Sequence, residues 1–407
     1  MFSRPIPPQA AGKKQHGTAR QAEPRAAGLC PLLHSKSIVE YMKTAQIICL
    51  FSGGLDSILA AKLLEQQGLR VQCLHFVSPF FGQARAVPHW RAVYNLTIDC
   101  VDVSEEFVAL LRRRPTYGFG KELNPCVDCK ILLASRAREL MNYYGAACIA
   151  TGEVLGQRPM SQRRDTLNVI KRDALVKDTL LRPLSALHME PTQAELSGLV
   201  DRSRLLGISG RGRKDQLALA AAMGITEIPS PAGGCRLTEK ENASRYWRVL
   251  TTVPAPTASD FYFANTGRQY WRTIAGQDCW LAIGRNQYDN LALEAFATPE
   301  NISFKVLNFP SPLAVARQWQ AWSAVAIQEA AAFVASFSPR ALASGQPVRV
   351  QVSTGGQQSE VEVMPCRDAA WGNDTWEVAR AAIRAEQKER QAAAIANKTY
   401  KNAEFIV

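Results

Sequence analysis

The stretch ICLFSGGLDSILAAKLL, Ile48 to Leu64, decides the fold. An apolar run breaks into Ser52-Gly53-Gly54-Leu55-Asp56-Ser57, and an apolar helical pattern follows at once. A strand that turns so abruptly into a helix aims successive backbone N–H groups, and the positive helix end, at one point. Gly53 and Gly54 lack a Cβ and let an anion approach the main chain, while Ser52 and Ser57 add hydroxyl donors. A tight strand–helix turn alone would account for the glycines but leaves the serines and Asp56 without a task. The turn is not a Walker A loop, because the G-x-x-x-x-G-K-[ST] spacing and its lysine are missing.

Outward from this turn, strands and helices alternate. QIICLF reads as a strand, SILAAKLLEQQG as a helix and VQCLHFV as a second strand; NLTIDCVDV, ILLASRARELMNYYG and AACIATGE continue the series. This alternation predicts an α/β domain with a parallel sheet and helices on both faces. The segment from Lys177 to Gly224 reads as mainly helical and closes the domain near residue 240. Beyond it, FYFANTGRQYWRTIAGQDCWLAIGRNQYDNLALEAF is aromatic, β-prone and turn-punctuated. LAVARQWQAWSAVAIQEAAAFVASF reads as a helix, and VRVQVSTGGQQSEVEVMP as a hairpin turning at Gly355-Gly356. DTWEVARAAIRAEQKERQAAAIANK reads as a charged helix exposed on most faces. The expected parts are residues 1–42, 43–240, 241–310 and 311–407, the last two forming a smaller α+β region.

A chain of 407 residues is too long for one ordinary core, so two or three domains are expected. No window approaches ~18 consecutive apolar residues, which excludes a transmembrane helix and leaves no membrane partner expected. The net charge is +12, of which +4 sits on the first 42 residues and +8 on the rest. That excess points to a polyanionic partner, nucleic acid or a membrane surface. The first 42 residues carry no apolar h-region and read as a disordered basic arm, with Met42 a second candidate start. Ten cysteines without an export signal indicate a reducing cytoplasm. Cys49, Cys73, Cys100 and Cys148 lie in or beside apolar runs and read as small buried hydrophobes.

Cys126, Cys129 and Cys235 occupy polar or turn-rich contexts instead. KELNPCVDCK places two thiols three residues apart, the spacing that lets both face one metal centre. SPAGGCRLTE is a Pro/Gly turn that would expose the third sulfur. A zinc half-site or a chance pair is the plainer alternative. Structural zinc takes four protein ligands, and no His or fourth Cys neighbours either segment; three thiolates with an open fourth position suit an iron–sulfur cluster.

SGGLDS in its strand–turn–helix setting resembles the PP-loop of the ATP pyrophosphatases. The resemblance implies an adenine nucleotide alpha hydrolase-like fold in which Ser52, Gly53, Gly54, Leu55, Asp56 and Ser57 hold the β- and γ-phosphates of ATP and Asp56 serves Mg2+. It also implies that Leu74, His75 and Phe76, one helix later, contact adenine through backbone groups. SGGLDS, NPCVDCK, TGEVLGQRPMSQ (Thr151 to Gln162), LLRPLSAL, SGRGRKDQLALAAAMGI and the final GGC together resemble the tRNA 4-thiouridine synthetase family and its relatives among tRNA 2-thiouridylases. That likeness covers roughly residues 44 to 240 and adds Gly152 and Gln157 as cofactor-binding candidates. In this group ATP adenylates a uridine carbonyl oxygen, and sulfur displaces AMP. Some members use a cysteine persulfide that a second cysteine resolves; others, with C-x-x-C plus one later cysteine, hold a [4Fe–4S] cluster. This chain has the second pattern, which implies Cys126, Cys129 and Cys235 as cluster ligands and Asp56, Cys126 and Cys235 as catalytic residues. No THUMP or rhodanese module is recognisable, so an external sulfide or persulfide donor, such as a cysteine desulfurase, is expected.

LAIGRNQYDNLAL, Leu281 to Leu293, resembles the G-R-N-x-x-x-N-x-L signature of the NFACT-type RNA-binding domain, assigned here to residues 241–310. Arg268, Tyr270, Trp271 and Arg272 nearby supply the aromatic and basic side chains suited to looped or single-stranded RNA. RRDTLNVIKRDALVKDTLLR and SRLLGISGRGRK add positive charge for tRNA phosphates. The expectation is therefore a cytoplasmic ATP-dependent tRNA sulfurtransferase. A PP-loop ligase transferring nitrogen, or an RNA-binding factor with a relict ATP site, are the alternatives.

Overall fold

The computed structural model describes residues 45–230 and 234–404; the arm at residues 1–42 lies outside them. The chain begins β1 (Ile47–Leu50), α1 (Leu55–Glu65), β2 (Val71–Val77), α2 (Val87–Tyr94), β3 (Thr97–Asp102), α3 (Ser104–Arg113), α4 (Cys126–Tyr144), β4 (Cys148–Thr151), α5 (Arg164–Asp173) and β5 (Leu180–Leu181). All five strands pair in parallel in the order β3-β2-β1-β4-β5. β1 is nearly all apolar because both its faces are covered. Ile47 and Cys49 join the core under α1 and α2, and Ile48 joins that under α4 and α5. The chain runs from β1 to β2 on one side and later returns to β4 on the other. This switch opens a crevice at the carboxyl ends of β1 and β4, where open parallel sheets place their ligands.

The segment Lys177 to Gly224 is less helical than its composition suggests. Only α6 (Gln193–Leu196) and α7 (Lys214–Ala222) are α-helical. Pro183 and the positive-φ Gly198 and Gly210 break any longer helix, and Leu184, Val200, Leu205 and Ile208 are buried from turns.

The second region contains α8 (Lys240–Thr252), α9 (Ala258–Ala264), β6 (Arg268–Ile274), β7 (Gln277–Ile283), α10 (Gln287–Glu294), β8 (Ile302–Val306), β9 (Ala314–Arg317), α11 (Ala324–Ala335), α12 (Pro339–Ser344), β10 (Val348–Thr354), β11 (Gln357–Val363) and α13 (Trp376–Glu404). Its six strands form one antiparallel sheet, β11-β10-β8-β9-β7-β6, which draws on residues both before and after 310. The β10–β11 hairpin turns at Gly355-Gly356 with both φ positive, the twist a two-residue hairpin requires. The helix expected across Leu313 to Phe337 is divided. Ala314–Arg317 instead forms a strand between β8 and β7, and α11 starts only where Ser323 Oγ caps the Ala326 N–H at 3.2 Å. The aromatic FYFA segment is helical too, capped by Thr257 and Asp260. α13 buries Trp376, Ala379 and Ile383 along one stripe.

The two regions share one core. Phe80, Phe107 and Leu123 of the first pack in the same cluster as Tyr246, Phe261, Trp280 and Ile383 of the second. Arg114 adds an ion pair to Glu386 at 2.6 Å, and Asn265 Nδ2 donates to Pro79 O at 2.8 Å. Among the described residues no helix is long and apolar enough to cross a membrane.

Trp280 is fully buried, stacked on Trp271 at 4.7 Å, and its Nε1 donates to Gln269 Oε1 at 2.8 Å. Trp280→Ala should cost about 3–5 kcal/mol. Urea unfolding followed by circular dichroism measures this, and an unchanged midpoint would show that the shared core does not depend on this ring.

Candidate active site

The SGGLDS turn ends β1 and opens α1. Gly53 has φ +79°, and a Cβ there would lie 2.6 Å from Trp90 Cη2, so the fold itself demands glycine. Gly54 is different: its backbone is extended, and a Cβ would meet only Ser52 Oγ at 3.4 Å. Nothing in the packing requires glycine at 54, whereas close approach of an anion does. The two serines divide their work. Ser57 is buried and its hydroxyl donates to Gly54 O at 2.7 Å, bracing the turn, while Ser52 stays exposed beside it. No side chain caps the start of α1, which leaves its first N–H groups open.

Gly152, just beyond β4, packs directly on this turn. A Cβ on it would run into the Asp56 carbonyl and stand 2.6 Å from the Ser57 nitrogen. Asp56 Oδ1 is buried without a hydrogen-bond partner, as are both amide atoms of Gln216. Burial raises the Asp56 pKa, and Gln157, Arg213, Arg158 and Gln216 act against that rise. Buried polar groups are normally paired, so these unpartnered atoms could take a polar ligand. Gln157 is a candidate the sequence motifs already single out. Arg158, Arg213 and Gln216 are not, although they lie within the GQRPM and GRGRKDQ segments of the resemblance. Gly210 N donates to Leu155 O at 2.7 Å, and Ser209 bridges Leu155, which draws those two segments together.

Leu74, His75 and Phe76 are all buried in β2. Phe51 N donates to Leu74 O at 2.8 Å. The His75 ring is bonded on both sides: Gln83 N donates to Nε2 at 2.8 Å, so Nδ1 carries the proton it donates to Phe51 O at 2.9 Å. Burial lowers its pKa, which keeps the ring neutral. The side chain thus clamps the glycine turn to the loop after β2, and a role toward a base rests with the main chain alone.

The cysteines meet from two directions. Cys126 and Cys129 open α4 one helical turn apart, and Asn124 Nδ2 donates to Cys126 Sγ at 3.0 Å. Arg236 N donates to Phe80 O at 2.8 Å and Leu237 O accepts from Leu123 N at 3.2 Å, which laces Cys235 against the NPC segment. Burial raises the Cys129 thiol, and the charges of Cys235 and Cys126 add to that rise. Burial likewise pushes Cys235 up to about 11. The three sulfurs are therefore within electrostatic reach of one another. Among the described residues no three His, Cys, Asp or Glu side chains converge as a single metal ion would need. A cubane, whose thiolates bind separate irons, does not ask for that convergence, and the three-thiol donor set fits it. Cys49, Cys73 and Cys148 are buried as expected, whereas Cys100 is half-buried.

Glu153 links the two halves of the site. It accepts from Lys130, the residue after Cys129, and from Arg182 Nε at 2.9 Å, while Thr151 Oγ1 donates to it at 3.2 Å. Burial alone would raise the Glu153 pKa, but Lys130 and Arg182 overcome it and hold it near 2. Arg182 is fully buried, and both its terminal nitrogens lack partners. The cysteine helix is thus tied to the strand end that packs on the glycine turn.

Gly152→Ala should push β4 away from the turn. Overpacking of this kind typically costs ~1–3 kcal/mol, and nucleotide affinity should fall with it. Calorimetric titration with a non-hydrolysable ATP analogue measures this; wild-type affinity would dissociate Gly152 from the nucleotide cradle.

Residues 43–192 match the family model described as Thiamine biosynthesis protein (ThiI). A probable tRNA sulfurtransferase of Thermococcus kodakarensis is 26% identical over 154 residues, covering 36% of this chain and 38% of that protein. A tRNA sulfurtransferase of Desulfurococcus amylolyticus is 25% identical over 197 residues, 46% of this chain and 38% of that one. The tRNA-specific 2-thiouridylase MnmA of Petrotoga mobilis is 29% identical over 134 residues, 28% of this chain and 36% of that one. The chain therefore spans well under half the length of these relatives. Residues 43–192 form a PP-loop domain of the ThiI family, in the group whose members include the tRNA sulfurtransferases.

Proposed function

We propose that this chain is an ATP-dependent tRNA sulfurtransferase that converts a uridine to a thiouridine. The observation that carries the reading is the Lys130–Glu153–Arg182 network, which ties the helix that carries Cys126 and Cys129 to the strand end that packs on the glycine turn. Nitrogen transfer needs no thiol, whereas sulfur transfer explains why cysteines and phosphate turn are held together.

In this mechanism a uridine carbonyl oxygen attacks the α-phosphorus of ATP. The bond to the β-phosphate oxygen breaks, pyrophosphate leaves, and the ring N–H proton passes to solvent. The open N–H groups of the turn, with Ser52, Arg158 and Arg213, receive the departing charge. Asp56 would hold Mg2+, which supplies positive charge to the phosphates. Hydrosulfide then adds to the activated carbon, the C–O bond breaks, AMP leaves and the ring nitrogen regains a proton. A [4Fe–4S] cluster held by Cys126, Cys129 and Cys235 would supply an iron without a protein ligand on which sulfide from an external donor can be held. The basic, aromatic-rich second region serves RNA binding in this reading.

Asp56→Ala should leave the fold intact and lower tRNA-dependent pyrophosphate release by more than ~10²–10³-fold, because the metal's charge is misplaced along with one polar group. Near wild-type release would remove the nucleotide assignment.

Cys129→Ser separates the two sulfur mechanisms. In anaerobically purified protein it should abolish both the broad absorbance near ~400 nm and the thiouridine detected by mass spectrometry of tRNA nucleosides. Cys49→Ala should change neither. A Cys129→Ser protein that still thiolates tRNA would leave Cys126 and Cys235 as a persulfide pair and sink the cluster.

A further inference from the structure

α13 reaches back to a strained turn at the end of α3. Arg114 follows that helix with φ +67° and ψ +138°, outside even the small left-handed well. A helix end with positive φ normally takes glycine. Pro115 accounts for the extended ψ, because a proline keeps the residue before it out of the helical region. The positive φ has no such local cause. Backbone of this kind persists only where surrounding contacts over-determine it.

Those contacts come from α13. Arg114 Nε and Nη2 donate to the two carboxylate oxygens of Glu386 at 2.6 and 3.0 Å, a planar fork, and Nη1 donates to Leu111 O at 3.1 Å. The guanidinium lies over the Trp247 ring at 4.8 Å, and the side chain is only 15% exposed. One turn further along α13, Arg390 donates to Arg113 O at 3.3 Å. Gln387 Nε2 comes within 3.7 Å of where a Cβ on Gly118 would stand. The helix therefore grips the chain from Arg113 to Gly118.

The grip is passed on to the cysteines. Thr116 N and Tyr117 N both donate to the Asp128 carboxylate, at 2.7 and 3.0 Å. Asp128 is buried and stands between Cys126 and Cys129 in the first turn of α4. Further along the same loop, Gly120 N donates to Asn124 O at 2.9 Å, and Asn124 is the residue that donates to Cys126 Sγ. On the inner side, Cys129 and Cys235 pack against the apolar cluster to which Trp376, Ala379 and Ile383 of α13 belong. One helix thus backs both cysteine segments, and it lies outside residues 43–192, the part that matches the family model.

We infer that α13 positions the thiols: through the Glu386–Arg114 fork it holds the strained turn, and that turn holds the start of α4 at a set distance from Cys235. Glu386 and Arg114 touch no reacting atom and act through Asp128, so both are positioning residues. This role rests on the three cysteines working as one site, as in the proposed function, but not on tRNA as the acceptor.

A bifunctional thiol reagent tests the geometry in full-length protein treated anaerobically with an iron chelator, so that no bound iron masks the sulfurs. Mass spectrometry of the linked peptides follows Cys126 joined to Cys129 within α4, and α4 joined to Cys235 across the two segments. The exposed Cys366 reports the reagent's single-arm rate. Glu386→Ala and Arg114→Ala should slow the α4–Cys235 link about tenfold or more relative to the link within α4, because ring closure depends on how well the second thiol is placed. Arg114→Gly should keep more of the α4–Cys235 link than Arg114→Ala, since glycine adopts the turn without the fork. Circular dichroism and binding of an ATP analogue at the glycine turn verify that the variants are folded. An unchanged α4–Cys235 link in Glu386→Ala overturns the positioning role. Equal losses in Arg114→Gly and Arg114→Ala overturn it too, since the fork would then only join the two regions. Wild-type protein that never forms the α4–Cys235 link overturns both this role and the proposed sulfur site. Slowed linking in the variants, with no thiouridine made by wild-type protein, supports the positioning role and removes only transfer to tRNA.

Discussion

One carboxylate, 12% exposed, ties three parts of the chain together at the crevice. Lys130 of α4 and Arg182, just after β5, hold Glu153 ionised against its desolvation, and Glu153 itself follows β4. Losing one partner of such a buried network leaves a charge uncompensated, which generally costs more than the pair contributes. The network therefore acts as a geometric specification. It sets where the cysteine helix begins relative to the end of β4, and Gly152 sets how close β4 comes to the glycine turn.

Two kinds of buried polar group can be told apart around that centre. His75, Ser57, Asn124 and Ser185 are fully engaged with backbone or neighbouring side chains, and they shape loops. Asp56, Gln216 and Gln162 are enclosed yet have atoms with no partner. The first set is scaffold. The second set keeps its hydrogen-bonding capacity in reserve, at a cost in stability that water or a polar ligand can recover.

What is legible in the sequence is local. The glycine turn and the alternation of strand and helix announce themselves within a few residues, and the parallel sheet follows. Gly152 stands out only through family resemblance, because its reason is a close approach between segments nearly a hundred residues apart. Arg158, Arg213 and Gln216 carry no spacing signal at all; the folding of two loops onto each other brings them to Asp56. Ala314–Arg317 misleads for the opposite reason. AVAR continues smoothly into a helical pattern, and only its place inside the second sheet makes it a strand. Along Arg268–Ile274, by contrast, the two-residue period of a strand is enough by itself to send Tyr270 and Trp271 to opposite faces.

The continuous apolar core from Phe80 and Phe107 to Trp280 and Ile383 has a consequence for how the chain can be divided. Phe80, Phe107 and Leu123 bury their surface against Tyr246, Phe261 and Trp280, so part of each region's core belongs to the other. A cut between the two sheets would lay that shared face open to water on both pieces, and apolar faces of this kind drive association between copies.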